Sequence, residues 1–268
     1  SLKEVFARFS LDNMAKRILS TGHIYHIYNR GIEKREIFLD HSYYSHFISI
    51  IEHYLKYDCP YSALKQRLDE AKDTQRRKAI LAWLETKRIK NPVDIISFCL
   101  MPNHYHLTLE QRIDKGISFF IHKLGLSYTK YFNIRQGRKG RLFEGVFRSV
   151  LVKSDEQLIH LSRYQHLNPY KIKKIQTIQN LINYPWSSLA EYIGKSHQFS
   201  FLKSQRILNS FKDNKEHLEF LEAEIDQYEP LRLESVSIDD DFGWFKKYEA
   251  QKEKYKKHLR EQYTKLLR

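Results

Sequence analysis

Two histidines one residue apart, His104 and His106, follow Pro102-Asn103 at the end of the apolar run Ile95-Ile96-Ser97-Phe98-Cys99-Leu100-Met101. If Leu107-Thr108-Leu109 continue them as a strand, period-2 geometry puts both imidazoles on one face, about 7 Å apart at Cα, with Tyr105 on the other. Neutral imidazoles suit Zn, Mn, Fe and related ions, but two ligands do not complete a site. Downstream, Tyr164 and Asn168 stand four apart and share one face of a helix, with His160 a further turn back. An amide oxygen is a hard ligand that suits Mg²⁺ or Mn²⁺, and a tyrosine is a nucleophile or a general acid. Taken together, His104, His106 and Asn168 would hold an ion that polarises a phosphodiester. Tyr164 would attack phosphorus in line with the leaving 3′-oxygen, giving a 5′-phosphotyrosine and a free 3′-hydroxyl. Strand rejoining from such an intermediate needs no nucleotide cofactor, in agreement with the lack of a GxxxxGK[ST] loop. A tyrosine's ordinary pKa is about 10, so cationic surroundings or the ion must help remove its proton. Taken singly, each part has a bland alternative: half-buried strand histidines, a tyrosine packed on a sheet, an asparagine capping a helix ahead of Pro169.

The composition points the same way. The 268 residues are 41% hydrophobic, enough for a real core, and carry 46 Lys and Arg against 32 Asp and Glu, a formal net charge of +14. Such an excess attracts a polyanion, because each neutralised phosphate releases condensed counterions. Nucleic acid is the leading expected partner, ahead of a membrane surface or a merely solvated basic face. Residues 112 to 148 hold 9 Lys and Arg against 2 acids, interleaved with Phe119, Phe120, Tyr128, Tyr131, Phe132, Phe143 and Phe147. Basic residues track phosphates and aromatics stack unpaired bases, the way single strands are held. The candidate contacts are Arg30, Lys123, Lys130, Arg135, Arg138, Lys139, Arg141 and Arg148. No run approaches the roughly 20 apolar residues of a membrane span, and no signal-peptide layout is visible, so the expected location is the cytoplasm. Cys59 and Cys99 lack the spacing of a zinc or redox pair and are expected to be reduced, Cys99 in the core.

The elements that must position these residues follow from periodicity and caps. Residues 23 to 30 are rich in strand formers and stop at Gly31. Asp40 caps a helix over about 41–57, with Phe47, Ile50, Ile51, Tyr54 and Leu55 inward. After Pro60, a polar helical segment over about 64–90 reads as part of an insertion (about 58–92) that stands away from the core. The histidines belong to a hairpin, 94–101 and 104–110. Asp114 opens a helix to about 134, Gly137 to Gly140 form a basic turn, and 146–152 is a fourth strand. Ser154 and Gln157 form a capping box for a helix that ends at Pro169, whose ring disfavours α geometry at Asn168. The order predicts an α+β fold, a ferredoxin-like antiparallel sheet with helices on one face plus a carboxy-terminal tyrosine-bearing helix. Residues 1–22 are a separate appendage, 23–194 the main domain, and 195–268 a helical, basic extension. That extension has helical pattern over 203–226, the acidic run Asp239-Asp240-Asp241, and a basic arm over 246–268.

Five segments carry a resemblance. Tyr25 to Gly31, Leu100 to Leu107, Gly140 to Phe147, Ser162 to Pro169 and Tyr184 to Ser188 resemble, in the same order, motifs of the REP-associated tyrosine transposases, single-tyrosine HUH enzymes related to small bacterial insertion sequences. Together they span about 23 to 194. The resemblance implies a metal-dependent single-stranded DNA endonuclease and strand transferase that recognises hairpins. It assigns His104 and His106 as metal ligands, Tyr164 as nucleophile, and Asn168 where relatives carry a Gln or Asn ligand. The implied cofactor is Mg²⁺ or Mn²⁺ and the implied partner a hairpin-forming, REP-like single strand. Relatives include dimers and monomers, which leaves a homodimer, and cis or trans placement of Tyr164, open. The competing reading is a domesticated hairpin-binding or regulatory protein that keeps the fold without the catalysis.

Overall fold

A computed structural model describes residues 19–223 and 225. Four strands, β1 (Ile24–Arg30), β2 (Val93–Met101), β3 (His104–Gln111) and β4 (Arg148–Val152), form one antiparallel sheet in the order β2-β3-β1-β4. The chain has the α+β character its pattern predicts. Directly opposed residues of antiparallel strands share a face, so the register sorts side chains into two sets. Tyr25 and Ile27 lie opposite Leu109 and Leu107, whereas His26, Tyr28 and Arg30 lie opposite Thr108, His106 and His104.

The first set meets two helices, α1 (His41–Tyr54) and, after the insertion, α4 (Gly116–Arg135). Asp40 caps α1 by accepting from the Ser42 amide, as expected. Phe47, Ile50, Ile51 and Tyr54 of α1 and Ile117, Phe120, Ile121, Leu124, Tyr128 and Phe132 of α4 are buried with Tyr105, Leu107 and Leu109 in one core. Each such side chain contributes roughly 1.5–3 kcal/mol of burial free energy. Asp114 does not cap α4. That place falls to Lys115, at φ 56° and without a side-chain cap bond.

The helical segment expected in the insertion is made of two helices, α2 (Tyr61–Glu70) and α3 (Thr74–Glu85). They are separated where Asp73 turns to accept from the Arg76 amide and starts α3 afresh. They share a small cluster of their own, Cys59, Leu64 and Leu84, with Trp83 and Tyr57 packed on it. Cys59 and Cys99 are both buried and unpaired. The other face of the sheet receives α5 (Asp155–Leu167). Ser154 caps it by accepting from the Gln157 amide, while Gln157 Oε1 accepts from the Lys153 amide. The α-helix itself ends at Leu167, just ahead of Pro169 as expected. Asn168 keeps α geometry (φ −52°, ψ −42°) and the chain runs on as a 3-10 turn, Asn168–Lys171, because the packing of Asn168 and Pro169 outweighs the local preference of a pre-proline residue.

Four further helices follow: α6 (Ile178–Ile182), α7 (Leu189–Tyr192), α8 (Gln205–Leu208) and α9 (Asn214–Glu222). The helical pattern over 203–226 is thus split, and Asp213 caps the second piece. The expectations for residues 1–18, for Asp239-Asp240-Asp241 and for the basic arm lie outside the described residues. Among the described residues, no helix is long and apolar enough to cross a membrane.

Candidate active site

His104 and His106 stand on the α5 side of β3, ring centroids 4.8 Å apart and planes perpendicular. Each ring has one nitrogen engaged. His104 Nδ1 lies 2.6 Å from Asn103 Oδ1, an oxygen that only accepts, so Nδ1 carries the proton and Nε2 keeps its lone pair. His106 Nδ1 lies 3.0 Å from His26 Nε2. In the tautomer in which His106 Nδ1–H donates to His26 Nε2, the lone pair of His106 falls on Nε2, a buried atom that has no hydrogen-bond partner among the described residues. An orphaned buried nitrogen of this kind calls for a partner from outside the chain.

All three rings are held neutral. Burial pushes His26 down to about 3. Burial does the same to His104, again to about 3, with Lys171 and Arg30 adding repulsion. His106 is pushed well below its ordinary value by burial, then by His104, His26 and Lys171. Neutral imidazole is the form that binds metals.

Tyr164 projects from α5 toward this pair, its ring centroid 5.7 Å from that of His106 and 6.3 Å from that of His26, nearly edge-on to both. Its placement depends on a neighbour. Gln165 Oε1, fully buried, accepts from Ser97 Oγ on β2 at 2.6 Å and from Thr108 Oγ1 on β3 at 3.1 Å, which fixes the rotation and height of α5 over the sheet. One residue on, His166 Nε2 meets Ser188 Oγ at 2.8 Å. The segment Tyr184 to Ser188 lies along β2: Leu100 N donates to Trp186 O, Ser188 N to Phe98 O, and Tyr184 OH to Leu100 O. It covers the edge of β2, an otherwise unpaired template, and clamps α5 from behind.

Asn168 is buried one turn beyond Tyr164. Its Nδ2 donates to Tyr164 O at 3.0 Å and its Oδ1 accepts from Lys171 Nζ at 3.3 Å. Lys171 Nζ also lies 5.5 Å from the Tyr164 ring centroid. Among the described residues no three His, Cys, Asp or Glu side chains gather into a metal cluster. A divalent ion here would have the Nε2 atoms of His104 and His106 as donors, while the Asn168 oxygen is engaged by the Lys171 ammonium.

The basic candidates divide. Arg30 and Arg148 share the histidine face, for Arg148 lies opposite Tyr28. Arg30, however, is buried and ion-paired with Glu144, its NH2 donating to Oε1 at 3.0 Å, so it ties β1 to the following loop. Lys123, Lys130 and Arg135 ride on α4, on the far side of the sheet. Lys123 pairs with Asp58 at 3.0 Å, and Arg135 lies over Tyr43 and Tyr131 while donating to Ser42 Oγ. Arg138 donates to Asn133 Oδ1 and Arg141 O in the loop after α4, where Lys139 and Arg141 are exposed. Phe120, Tyr128, Phe132 and Phe143 are core, leaving them unable to stack on a base. His160 turns away from Tyr164 to meet Arg163 and Phe220. His26, Gln165 and Lys171 are absent from the residues singled out by sequence. The alternation His26-x-Tyr28 opposite a His-x-His strand was the available signal for the first, and the short spacing from Asn168 for the last.

No family model matches the chain, and no curated protein is similar to it in sequence. Among solved structures, one of a REP-associated tyrosine transposase bound to a REP hairpin is similar with a TM-score of 0.42 and 13% identity, over 70% of this chain and 94% of that one.

Proposed function

We propose that this chain is a single-stranded DNA nicking and joining transesterase that works through a 5′-phosphotyrosine on Tyr164. The observation that carries the proposal is a tyrosine ring 5.7 Å from a buried histidine whose Nε2 has no hydrogen-bond partner among the described residues, beside a second histidine with its lone pair on Nε2. On this reading the sheet and its helices are ferredoxin-like, and α5 is the catalytic-tyrosine helix. A bound Mg²⁺ or Mn²⁺, held by His104 and His106 with Asn168 as third candidate, would supply Lewis-acid polarisation of the phosphodiester. The chain's own groups do the rest. Gln165 and the His166–Ser188 contact hold α5 so that the Tyr164 ring stays beside His106 and His26. His26 and Asn103 orient the imidazoles. Tyr164 Oη bonds to phosphorus as the P–O3′ bond breaks. Attack by a free 3′-hydroxyl reverses the step and reseals a strand. The substrate class is single-stranded DNA carrying a hairpin, in line with the five resembling motifs and the charge of +14.

The engagement of Asn168 Oδ1 by Lys171 favours a second reading, a hairpin-binding protein without catalysis. One experiment separates the two. The full chain is incubated with 5′- and 3′-labelled single-stranded DNA and Mn²⁺. The nicking reading requires a covalent adduct that Tyr164→Phe abolishes while hairpin affinity stays within about threefold. Tight hairpin binding with no adduct would establish the second reading instead.

A further inference from the structure

Position 171 lies seven residues, about two helical turns, beyond Tyr164, and therefore on the same side of the rod that α5 and its 3-10 continuation make. Lys171 Nζ is 3.3 Å from Asn168 Oδ1 and 5.5 Å from the Tyr164 ring centroid. Arg30, the cation on the facing strand, is already neutralised by Glu144. An ammonium held over the Tyr164 ring and against the Asn168 oxygen suits the anionic oxygens of a phosphodiester.

We infer that Lys171 is a catalytic residue of the nicking reaction, an inference that rests on the function proposed above: its ammonium leaves Asn168 Oδ1 to hydrogen-bond a non-bridging oxygen of the scissile phosphate. In the step, the Tyr164 Oη–P bond forms and the P–O3′ bond breaks, with its electron pair going to O3′. The phenolic proton goes to water and O3′ takes a proton from water. Lys171 keeps all its protons and supplies charge to the phosphoryl oxygens. Its departure also frees the Asn168 oxygen, so arrival of the phosphate and completion of the ligand set become one event. In the DNA-free protein the ammonium opposes a divalent ion, and in the complex it assists the reaction.

That double role gives the test its shape. Full-length Lys171→Gln and Lys171→Arg are compared with the parent in two measurements: single-turnover adduct formation at saturating labelled DNA, and calorimetric Mn²⁺ binding to the DNA-free protein. Lys171→Gln is expected to slow adduct formation about 100-fold, the loss typical of one donor to a developing anion. Lys171→Arg is expected to retain most of the rate. Mn²⁺ is expected to bind Lys171→Gln more tightly than the parent, because a like charge near the site has gone. A structural prop would not slow the chemistry and tighten the ion together. Lys171→Gln reacting within threefold of the parent, or losing Mn²⁺ affinity along with rate, overturns the assignment to Lys171 alone. A parent that forms no adduct at all overturns the nicking function, and the Lys171 assignment falls with it.

Discussion

The two faces of the sheet are built from the same strands and differ in almost every physical respect. On β3, Tyr105, Leu107 and Leu109 enter a core with Phe47, Tyr128 and Phe143, whereas His104, His106 and Thr108 face α5 through hydrogen bonds to Asn103, His26 and Gln165. The apolar side is held by area and shape, so its terms are many and individually replaceable. The polar side is held by pairwise satisfaction, where each donor needs its acceptor. What distinguishes the second is its remainder: among the described residues, His106 Nε2 and Gln165 Nε2 are buried there without a hydrogen bond. Function is found where the internal accounting does not close.

Four experiments would break or sharpen that contrast. The largest effect is expected from Tyr164→Phe, which removes the nucleophile while leaving the ring on its histidines; covalent adduct on denaturing gels should fall below detection. A retained adduct would move the nucleophile elsewhere. Next is His26→Phe, which keeps an aromatic ring in place but removes the bond to His106 Nδ1 and should weaken Mn²⁺ binding about 10- to 100-fold by calorimetry, the usual cost of losing a ligand's orienting partner. Unchanged affinity would show that His106 needs no support. On the opposite face, Phe47→Ala should cost about 3–5 kcal/mol in urea denaturation, with the adduct rate per folded molecule unaltered; a parallel loss of rate would mean that the faces are coupled.

The smallest effect is set behind α5. His217 is buried against Phe211, Tyr192 and His166, and burial pushes its pKa down to about 4. An unfolded histidine titrates near 6.5. Between these values the unfolded chain binds more protons, so stability is fully present above about 6.5 and declines as pH falls toward about 4. His217→Leu should flatten that decline in thermal melts taken across the window. An unchanged slope would assign it to the other buried histidines, those of the sheet together with His46, His53 and His166.

Local pattern revealed the strands, the caps at Asp40 and Ser154 and the paired imidazoles, because period-2 and period-3.6 spacing are written in neighbouring residues. It failed where distant partners decide. Arg30 reads as a phosphate contact until Glu144, 114 residues away, is seen to neutralise it. Lys171 was invisible because a proline two residues before it reads as a helix stop, whereas the chain runs on as a 3-10 turn. His26 reads as one more strand residue, and only the β1–β3 register places it beside His106. The helical segment over about 64–90 was legible, but its division into two helices was not, because it depends on one aspartate at position 73 whose side chain takes an amide ahead of it. The five resembling segments turn out to do unlike work: Tyr184 to Ser188 bears no chemistry and serves as the lath along β2 that keeps α5 in place.

Tyr164 and His106 belong to one polypeptide, and their rings are already neighbours within it. On the function proposed above, a centre working within one chain would be complete at any dilution. The yield of adduct per molecule should then stay constant as protein is lowered through the nanomolar range, and a yield that falls with protein concentration would place Tyr164 in trans. Mixing Tyr164→Phe with His106→Ala should likewise restore nothing, because neither defective chain can lend its intact half to the other. In a cell holding both a wild-type and a defective copy, the defective one would be a bystander rather than a poison.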